Sequence, residues 1–171
     1  MLESSKADRT TSYRTGGLML FAAAAAILIA LGFQYIGGYD PCPLCLMQRY
    51  AYYAAVPMLF IAMSLANEQP KLAGFIFLLV AIAFLANAGL GTYHAGAEWK
   101  YWPGPETCSG GAAPLPTNPA EMLKGMENRV ARCDEASWRL FGLSFAGWNV
   151  FISLGLFALG LRAAATSARG A

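Results

Sequence analysis

Four cysteines are the residues of this 171-residue chain whose type and spacing could do redox chemistry. Cys42 and Cys45 form the motif Cys-Pro-Leu-Cys, whereas Cys108 and Cys133 are separated by 24 residues further along the chain. A disulfide between the first two would close a very small loop, and the stabilisation that a disulfide gives shrinks with loop length. The Cys42–Cys45 pair is therefore better suited to thiol–disulfide exchange, in which one thiolate attacks and the other sulfur leaves.

Arg49 is the nearest charged residue after this pair. If a helix begins at the motif, Arg49 lies one turn beyond Cys45 on nearly the same face. Its guanidinium could stabilise a thiolate there and hold a carbonyl oxygen of an aromatic electron acceptor. The alternative is an interfacial arginine that extends to lipid headgroups. The proximity of Cys45 favours the functional interpretation.

The composition restricts the elements that can position these residues. The chain is 57% hydrophobic and only 13% charged, whereas soluble domains average about 45–50% and about 25%. Its mean hydropathy is +0.43. The net charge of +2 has no basic block behind it, so nucleic acid is not the implied partner. These values exclude a soluble globular enzyme and a disordered chain, and they indicate a small polytopic membrane protein.

Four apolar stretches are long enough to cross a bilayer, at about residues 17–36, 46–66, 72–93 and 140–161. Backbone groups in lipid must be paired internally, so each span should be a helix. We therefore expect an all-α membrane protein, with one four-transmembrane-helix bundle formed by residues 1–171. The first span could instead be a signal peptide, but its apolar run is long and no clear small-residue cleavage site follows. We expect it to stay in the mature chain.

Basic residues in the short flanks predict the orientation. Six of them fall on one side if the spans alternate: Lys6, Arg9, Arg14, Lys71, Arg162 and Arg169. Both termini should then be cytoplasmic, in a bacterial inner membrane, with periplasmic loops at about 37–45 and 94–139. All four cysteines fall in these loops, where an oxidising compartment lets disulfides form.

The long loop contains two different parts. It is rich in glycine and proline from Gly104 to Pro119, which predicts irregular structure. From Pro119 to Cys133 its apolar residues recur on one helical face. This pattern predicts a short amphipathic helix, either on the membrane surface or packed over the bundle.

The four cysteines have two alternative uses. Four thiolates could bind zinc, but structural zinc sites usually combine two close pairs, and Cys108 and Cys133 are far apart in the sequence. No metal site is therefore predicted. Two inert disulfides in a non-catalytic membrane scaffold are the other alternative. The position of the close pair, where water meets an apolar bundle, favours transfer of reducing equivalents between a soluble thiol and a lipid-soluble carrier.

Taken together, these features resemble the disulfide-bond formation protein B family, the DsbB-type quinone reductases. The resemblance covers nearly the whole chain. It rests on the four spans, on Cys-Pro-Leu-Cys-Leu-Met-Gln-Arg at residues 42–49, on a second outward cysteine pair, and on Trp-Lys-Tyr-Trp-Pro-Gly-Pro-Glu-Thr-Cys at residues 99–108. One departure is Gln48, where some members carry an acid.

The resemblance implies a role for each matched residue. Cys42 and Cys45 match the quinone-proximal pair, Cys108 and Cys133 match the partner-facing pair, and Arg49 matches the quinone-site arginine. His94 is similar to a histidine near the quinone in some members, although at a span end it could equally be an interfacial residue.

The implied function is reoxidation of a periplasmic DsbA-like thiol oxidase, with electrons passing to a membrane quinone, either ubiquinone or menaquinone. This activity would sustain disulfide-bond formation. The nearest rival enzyme is a vitamin K epoxide reductase-like protein, but its Cys-x-x-Cys usually lies late in the chain.

Overall fold

The structure is a computed structural model that describes residues 2–105 and 132–170. Within these ranges it contains four helices and one short hairpin: α1 (Leu2–Tyr35), α2 (Pro43–Leu65), α3 (Pro70–Glu98), β1 (Arg139–Leu140), β2 (Leu143–Ser144) and α4 (Phe145–Arg169). The two strands pair antiparallel. The described part of the chain is thus mostly helical, as the sequence predicts.

Three of the four described helices are long and apolar enough to cross a membrane: α1, α3 and α4. The helix α2 has 23 residues but carries Gln48, Arg49 and three tyrosines in its first half, which lower its hydropathy. Large apolar side chains point outward from the bundle, including Phe21, Leu28, Phe60, Phe75 and Phe151. An exposed apolar surface of this extent needs a nonpolar environment. The protein is a multi-pass membrane protein.

Small residues allow α3 and α4 to pack closely. A Cβ atom added at Gly160 would lie 2.8 Å from the Cβ of Ala81, so only glycine fits at this crossing. Such small-residue contacts are common between membrane helices, where close packing drives association. The α1 and α2 helices complete the bundle around a core whose largest fully buried side chains include Met19, Leu59, Phe77, Phe84 and Leu156.

The α1 helix extends far beyond the predicted first span, which was expected to start near residue 17. It begins at Leu2 because its polar first turns are held by the end of α4. The hydroxyls of Ser12 and Ser167 lie 2.9 Å apart, and Arg9 Nε donates to the Gly170 carbonyl at 2.8 Å. Hydropathy identifies only the apolar part of a helix, whereas tertiary hydrogen bonds stabilise the polar turns that precede it.

The outward boundaries also differ from the predicted ones. The α3 helix continues to Glu98, so the long loop expected from residue 94 begins only after that residue. Residues 139–144 form the hairpin instead of the first turn of the last helix, because Phe141 and Gly142 adopt left-handed φ values of 52° and 81°. The Ser144 hydroxyl then accepts from the Gly147 amide and caps α4. The predicted amphipathic helix lies almost entirely outside the described residues.

Candidate redox site

Cys42 is the residue that caps the start of α2. Its sulfur accepts a hydrogen bond from the backbone N–H of Cys45 at 3.2 Å, and Pro43 occupies the first helical turn. Proline suits that position because its missing N–H has no partner inside the helix there. The first N–H groups of a helix also present positive charge, which favours a thiolate. The Cys-Pro-Leu-Cys motif therefore places the Cys42 thiol at the start of a helix through contacts among residues adjacent in the sequence.

The sulfurs of Cys42 and Cys45 are both free, and they lie 2.8 Å apart. Cys42 is buried, and its neighbours favour its thiolate. The hydrogen bond with Cys45, and after it the one with His94, lowers the pKa of Cys42 to about 5, although burial acts in the opposite direction. A thiol of ordinary pKa, about 8.5, is mostly protonated at neutral pH. We therefore expect Cys42 to react as a thiolate at neutral pH.

Cys133 is brought beside this pair from the far end of the loop. Its sulfur is fully buried and disulfide-bonded. The sulfurs of Cys42 and Cys133 and a ring nitrogen of His94 all lie within 4.8 Å of one another. These three groups could ligate a metal, but a disulfide sulfur offers no thiolate. Cys108, the fourth predicted site residue, lies outside the described residues.

Polar contacts hold the segment that follows Cys133. Asp134 receives hydrogen bonds from Arg132 and from Lys100, which stands just after α3. These two partners hold the pKa of Asp134 well below its usual range. They tie the chain after the long loop to the end of α3, next to the buried sulfur.

His94 lies inside α3 and is buried. Its Nε2 stands 3.6 Å from the Cys42 sulfur and 3.7 Å from a carboxylate oxygen of Glu98, while its Nδ1 stands 2.8 Å from the Gln48 side-chain nitrogen. The sequence places His94 at a span end, but α3 continues for another turn and the ring is buried in the bundle. Its relation to a quinone and its role as an interfacial residue both stay predictions.

Arg49 reaches across to α1. Its guanidinium donates to the side-chain oxygen of Gln34 and, at 3.4 Å, to the backbone carbonyl of Ala30. It lines the same cavity as Cys45. The predicted direct contact between Arg49 and the Cys45 sulfur is not among its hydrogen bonds in the described residues.

This cavity has a volume of about 440 Å³, is partly open, and is lined by parts of all four described helices and by the segment before the hairpin. Drug-sized ligands and cofactors occupy pockets of about 300–1,000 Å³. One wall is an aromatic cluster in which the rings of Phe33, Trp138 and Phe145 have centroids 4.9–5.2 Å apart. Polar groups converge from Cys42, Cys45, Gln48, Arg49, Tyr52, His94 and Glu98. The cavity could hold a flat, mostly apolar ring system with a few polar oxygens.

Sequence reasoning missed several members of this site, among them Glu98, Asn149 and Tyr52. Glu98 is one helical turn after His94, a spacing that pairs side chains on one face and could have revealed it. Asn149 and Tyr52 contribute through a hydrogen bond of 2.7 Å between them. They stand 97 residues apart in the chain, and no local pattern links them.

The fold and the site together define a helical membrane protein with a thiol–disulfide centre at one end of the bundle. The model of the family "Disulfide bond formation protein DsbB" matches residues 13–163. The chain belongs to this family.

Three similar curated proteins carry the name disulfide bond formation protein B. One, from Methylococcus capsulatus, is 32% identical over 157 residues, covering 88% of this chain and 93% of the relative. Those from Xanthomonas oryzae and Xylella fastidiosa are each 30% identical, covering 86% and 88% of this chain and 89% and 88% of the relatives. No solved structure gives a significant match. The family confirms the resemblance and supports a disulfide-forming oxidoreductase of the membrane.

Proposed function

We propose that this protein is a dithiol:quinone oxidoreductase of the bacterial inner membrane, which reoxidises a periplasmic DsbA-like thiol oxidase. The observation that carries the proposal is the meeting of both cysteine regions. Cys133, which is disulfide-bonded, has its sulfur within 4.8 Å of the free sulfur of Cys42. Sulfurs this close can exchange with little movement, so electrons can pass from the outer cysteine pair, once the partner has reduced it, to an oxidised inner pair.

The exchange begins at the outer pair. A partner thiolate attacks Cys108 of a Cys108–Cys133 disulfide, forms a mixed disulfide, and releases Cys133 as a thiolate. Cys133 then attacks Cys42 of an oxidised Cys42–Cys45 pair, and Cys45 leaves as the second thiolate. The nearness of Cys42 and Cys133 supports this choice of target.

Two further exchanges restore the outer disulfide. The second thiolate of the partner displaces Cys108, which leaves the partner oxidised. Cys108 then attacks Cys133 in the Cys42–Cys133 bond and releases Cys42. The outer disulfide is restored, and Cys42 and Cys45 hold the two electrons. Their two protons balance those lost by the partner's dithiol.

The cavity beside Cys45 supports the proposal of a quinone as the electron acceptor. Its lining combines the aromatic cluster of Phe33, Trp138 and Phe145 with the guanidinium of Arg49. The two described contacts of Arg49 use only part of its five N–H donors, so it can also bind a carbonyl oxygen. A bound quinone would supply the acceptor for two electrons and two protons.

The proposed orientation places both termini in the cytoplasm and the redox site toward the periplasm. It rests on the basic residues near the ends of α1 and α4 and in the α2–α3 turn. Cys42 and Glu68 lie at opposite ends of α2, so they should face opposite compartments. Impermeant thiol reagents applied to spheroplasts should label a lone cysteine at position 108, and a Glu68→Cys variant only after lysis. Labelling of the second variant from outside would reverse the orientation.

The central test follows quinone absorbance while the purified protein is incubated with a reduced periplasmic thiol oxidase. We expect reduction of the quinone with one equivalent of partner disulfide formed. Two inert disulfides would give no change in either signal, and that result would leave a scaffold as the remaining function.

A trapping experiment tests the order of transfer. In a Cys133→Ala variant incubated with oxidised partner, the free Cys108 thiolate attacks the partner's disulfide and releases the partner's second thiolate. The resolving sulfur of Cys133 is absent, so the partner should remain bound to Cys108 as a mixed disulfide. Mass spectrometry of the trapped complex identifies the linked cysteine. A partner found on Cys42 would invert the order proposed above.

A further inference from the structure

A chain of buried hydrogen bonds runs from α4 through Gln48 to the ring of His94. The side-chain nitrogen of Gln48 donates to the Leu44 carbonyl at 3.3 Å, and its side-chain oxygen accepts from the Asn149 amide at 2.6 Å. A carbonyl oxygen can only accept. The Leu44 contact therefore fixes which end of the Gln48 amide is nitrogen.

The far end of the chain agrees with this direction. Asn149 receives three hydrogen bonds on its side-chain oxygen, from the Tyr52 hydroxyl at 2.7 Å, the Asn87 amide at 3.3 Å and the Ser153 hydroxyl at 3.4 Å. Its nitrogen is thus the group that faces Gln48. Because each amide is held by a neighbour on both sides, turning one of them would break contacts along the whole chain.

The direction of this chain decides where the proton of His94 sits. The nitrogen of Gln48 lies 2.8 Å from His94 Nδ1, so Gln48 donates and Nδ1 must accept. A neutral imidazole has one donor and one acceptor nitrogen, so its proton is then on Nε2. That nitrogen faces the Cys42 sulfur at 3.6 Å.

We propose that Gln48 is a positioning residue that holds His94 as its neutral Nε2–H tautomer, so that the ring donates a hydrogen bond to the Cys42 sulfur without carrying charge. Its consequence for exchange rests on the proposed function, whereas the tautomer itself does not. A positively charged ring would need a proton on Nδ1, directed at the N–H of Gln48. The buried amide opposes that state.

A neutral donor suits a sulfur that must both attack and leave. A thiolate loses intrinsic nucleophilicity as its pKa falls. A hydrogen bond without a full charge therefore stabilises the Cys42 thiolate while lowering its reactivity less than an imidazolium would.

Other charged and titratable groups face His94 from the neighbouring elements. Glu98 lies on the same helix, one oxygen 3.7 Å from Nε2 and the other without a hydrogen-bond partner in the described residues. Cys42 faces it from the start of α2, and the disulfide-bonded Cys133 approaches it from the chain after the long loop. Arg139 of the hairpin acts on Glu98. Glu98 is the group that would favour a charged ring. The Gln48 contact thus favours a neutral ring, whereas the Glu98 contact favours a charged one. The presence or absence of a proton on Nδ1 shows which contact prevails.

Nuclear magnetic resonance can read this tautomer directly, because His94 is the only histidine of the chain. The full-length protein, purified without a histidine tag and labelled with ¹⁵N-histidine, should give a single pair of ring signals. With Cys42 and Cys45 reduced at neutral pH, we expect a protonated Nε2 and an unprotonated Nδ1. A protonated Nδ1 in the unmodified chain would overturn the proposal.

Substitution of Gln48 tests the cause. In Gln48→Glu a carboxylate accepts at this position, so the signal of Nδ1 should move to its protonated form. Gln69→Glu is the control, because it makes the same chemical change in the turn between α2 and α3, at the other end of both helices. It should leave both ring signals unchanged. If Gln48→Glu fails to fold, Gln48→Leu should show a mixture of tautomers. Unchanged ring signals in a folded Gln48 variant would remove Gln48 from this role.

The ring signals do not depend on electron transfer. A neutral Nε2–H ring in a protein that reduces no quinone would contradict the proposed function alone. Normal quinone reduction with a protonated Nδ1 would contradict only the role of Gln48.

Discussion

Two buried polar clusters lie at opposite ends of this bundle, and they differ in what their groups can do. One cluster, which the proposed orientation makes the outward one, joins Gln48, His94 and Asn149 next to a cavity and a free thiol pair. The other, inward in the same proposed orientation, joins Ser12 to Ser167 and Arg9 to the end of α4. Both connect helices through hydrogen bonds among apolar neighbours. Only the outward one contains sulfur, imidazole and an unsatisfied carboxylate oxygen, in Glu98.

The comparison shows that buried polarity by itself does not mark a functional site. Buried polar groups are expected to be hydrogen-bonded, and a fully paired cluster such as Ser12–Ser167 needs no further explanation. A site is indicated where titratable groups converge on a cavity and one of them lacks a partner. Substitutions in the two clusters should therefore differ in their effects on electron transfer and on the stability of the protein.

The largest effect should follow from removing Cys45. A Cys45→Ala variant retains Cys42 but cannot form the inner disulfide, so quinone reduction by the reduced partner should fall to the background rate. Thermal unfolding should change little, since Cys45 is free in the structure. Absorbance of the quinone measures the loss. Retained turnover would mean that electrons bypass this pair.

The next effect concerns Arg49. A hydrogen bond to a charged group contributes about 1.5–3 kcal/mol, which corresponds to roughly one to two decades in binding or rate. Arg49→Ala should lower quinone reduction by that amount, or raise the quinone KM, whereas attack of the partner on the outer disulfide should be unchanged. Arg49→Lys should restore the activity in part, because it keeps the charge and loses the planar fork. Normal reduction by the alanine variant would move the acceptor site toward His94.

A titration tests the thiolate of Cys42. The ultraviolet absorbance of the thiolate, followed in a variant with Cys108 and Cys133 replaced by alanine, should rise with a midpoint near pH 5, because the pKa of Cys42 is about 5. The thiolate is thus present above that pH and lost below it. Adding Cys45→Ala removes the largest cause, so the midpoint should move upward toward about 8.5. A midpoint that stays near 5 would assign the lowered pKa to His94.

The smallest effect is expected at the inward cluster. Hydrogen bonds between membrane helices contribute about 0.6 kcal/mol on average, so Ser12→Ala should lower the free energy of unfolding by about that amount. Quinone reduction should stay at the level of the unmodified protein. Ser64→Ala is the matched control, because the Ser64 hydroxyl is exposed and bonds only within its own helix. A loss of activity in Ser12→Ala would show that the inward cluster does more than join helices.

The helical class and the position of the close thiol pair at the start of α2 could be predicted because both depend on local features. Apolar runs imply helices in a membrane whatever their neighbours are. Pro43 and the Cys42 cap act within three residues, so the motif specifies the geometry of its own thiol. The boundaries were less accurate: hydropathy could not reveal the polar start of α1, nor the hairpin that precedes α4.

The surroundings of the pair were decided by the tertiary structure alone. Cys133 approaches Cys42 across 91 residues of sequence, and Gln48 meets His94 across 46. His94 sits at a helix end in the sequence pattern, yet helix packing buries it against the thiol. By itself, the sequence determined which residues could exchange electrons, because reactivity and helix capping are properties of residue type and short spacing. Which groups surround them depended on how the helices pack, because burial and long-range hydrogen bonds exist only once the bundle has formed.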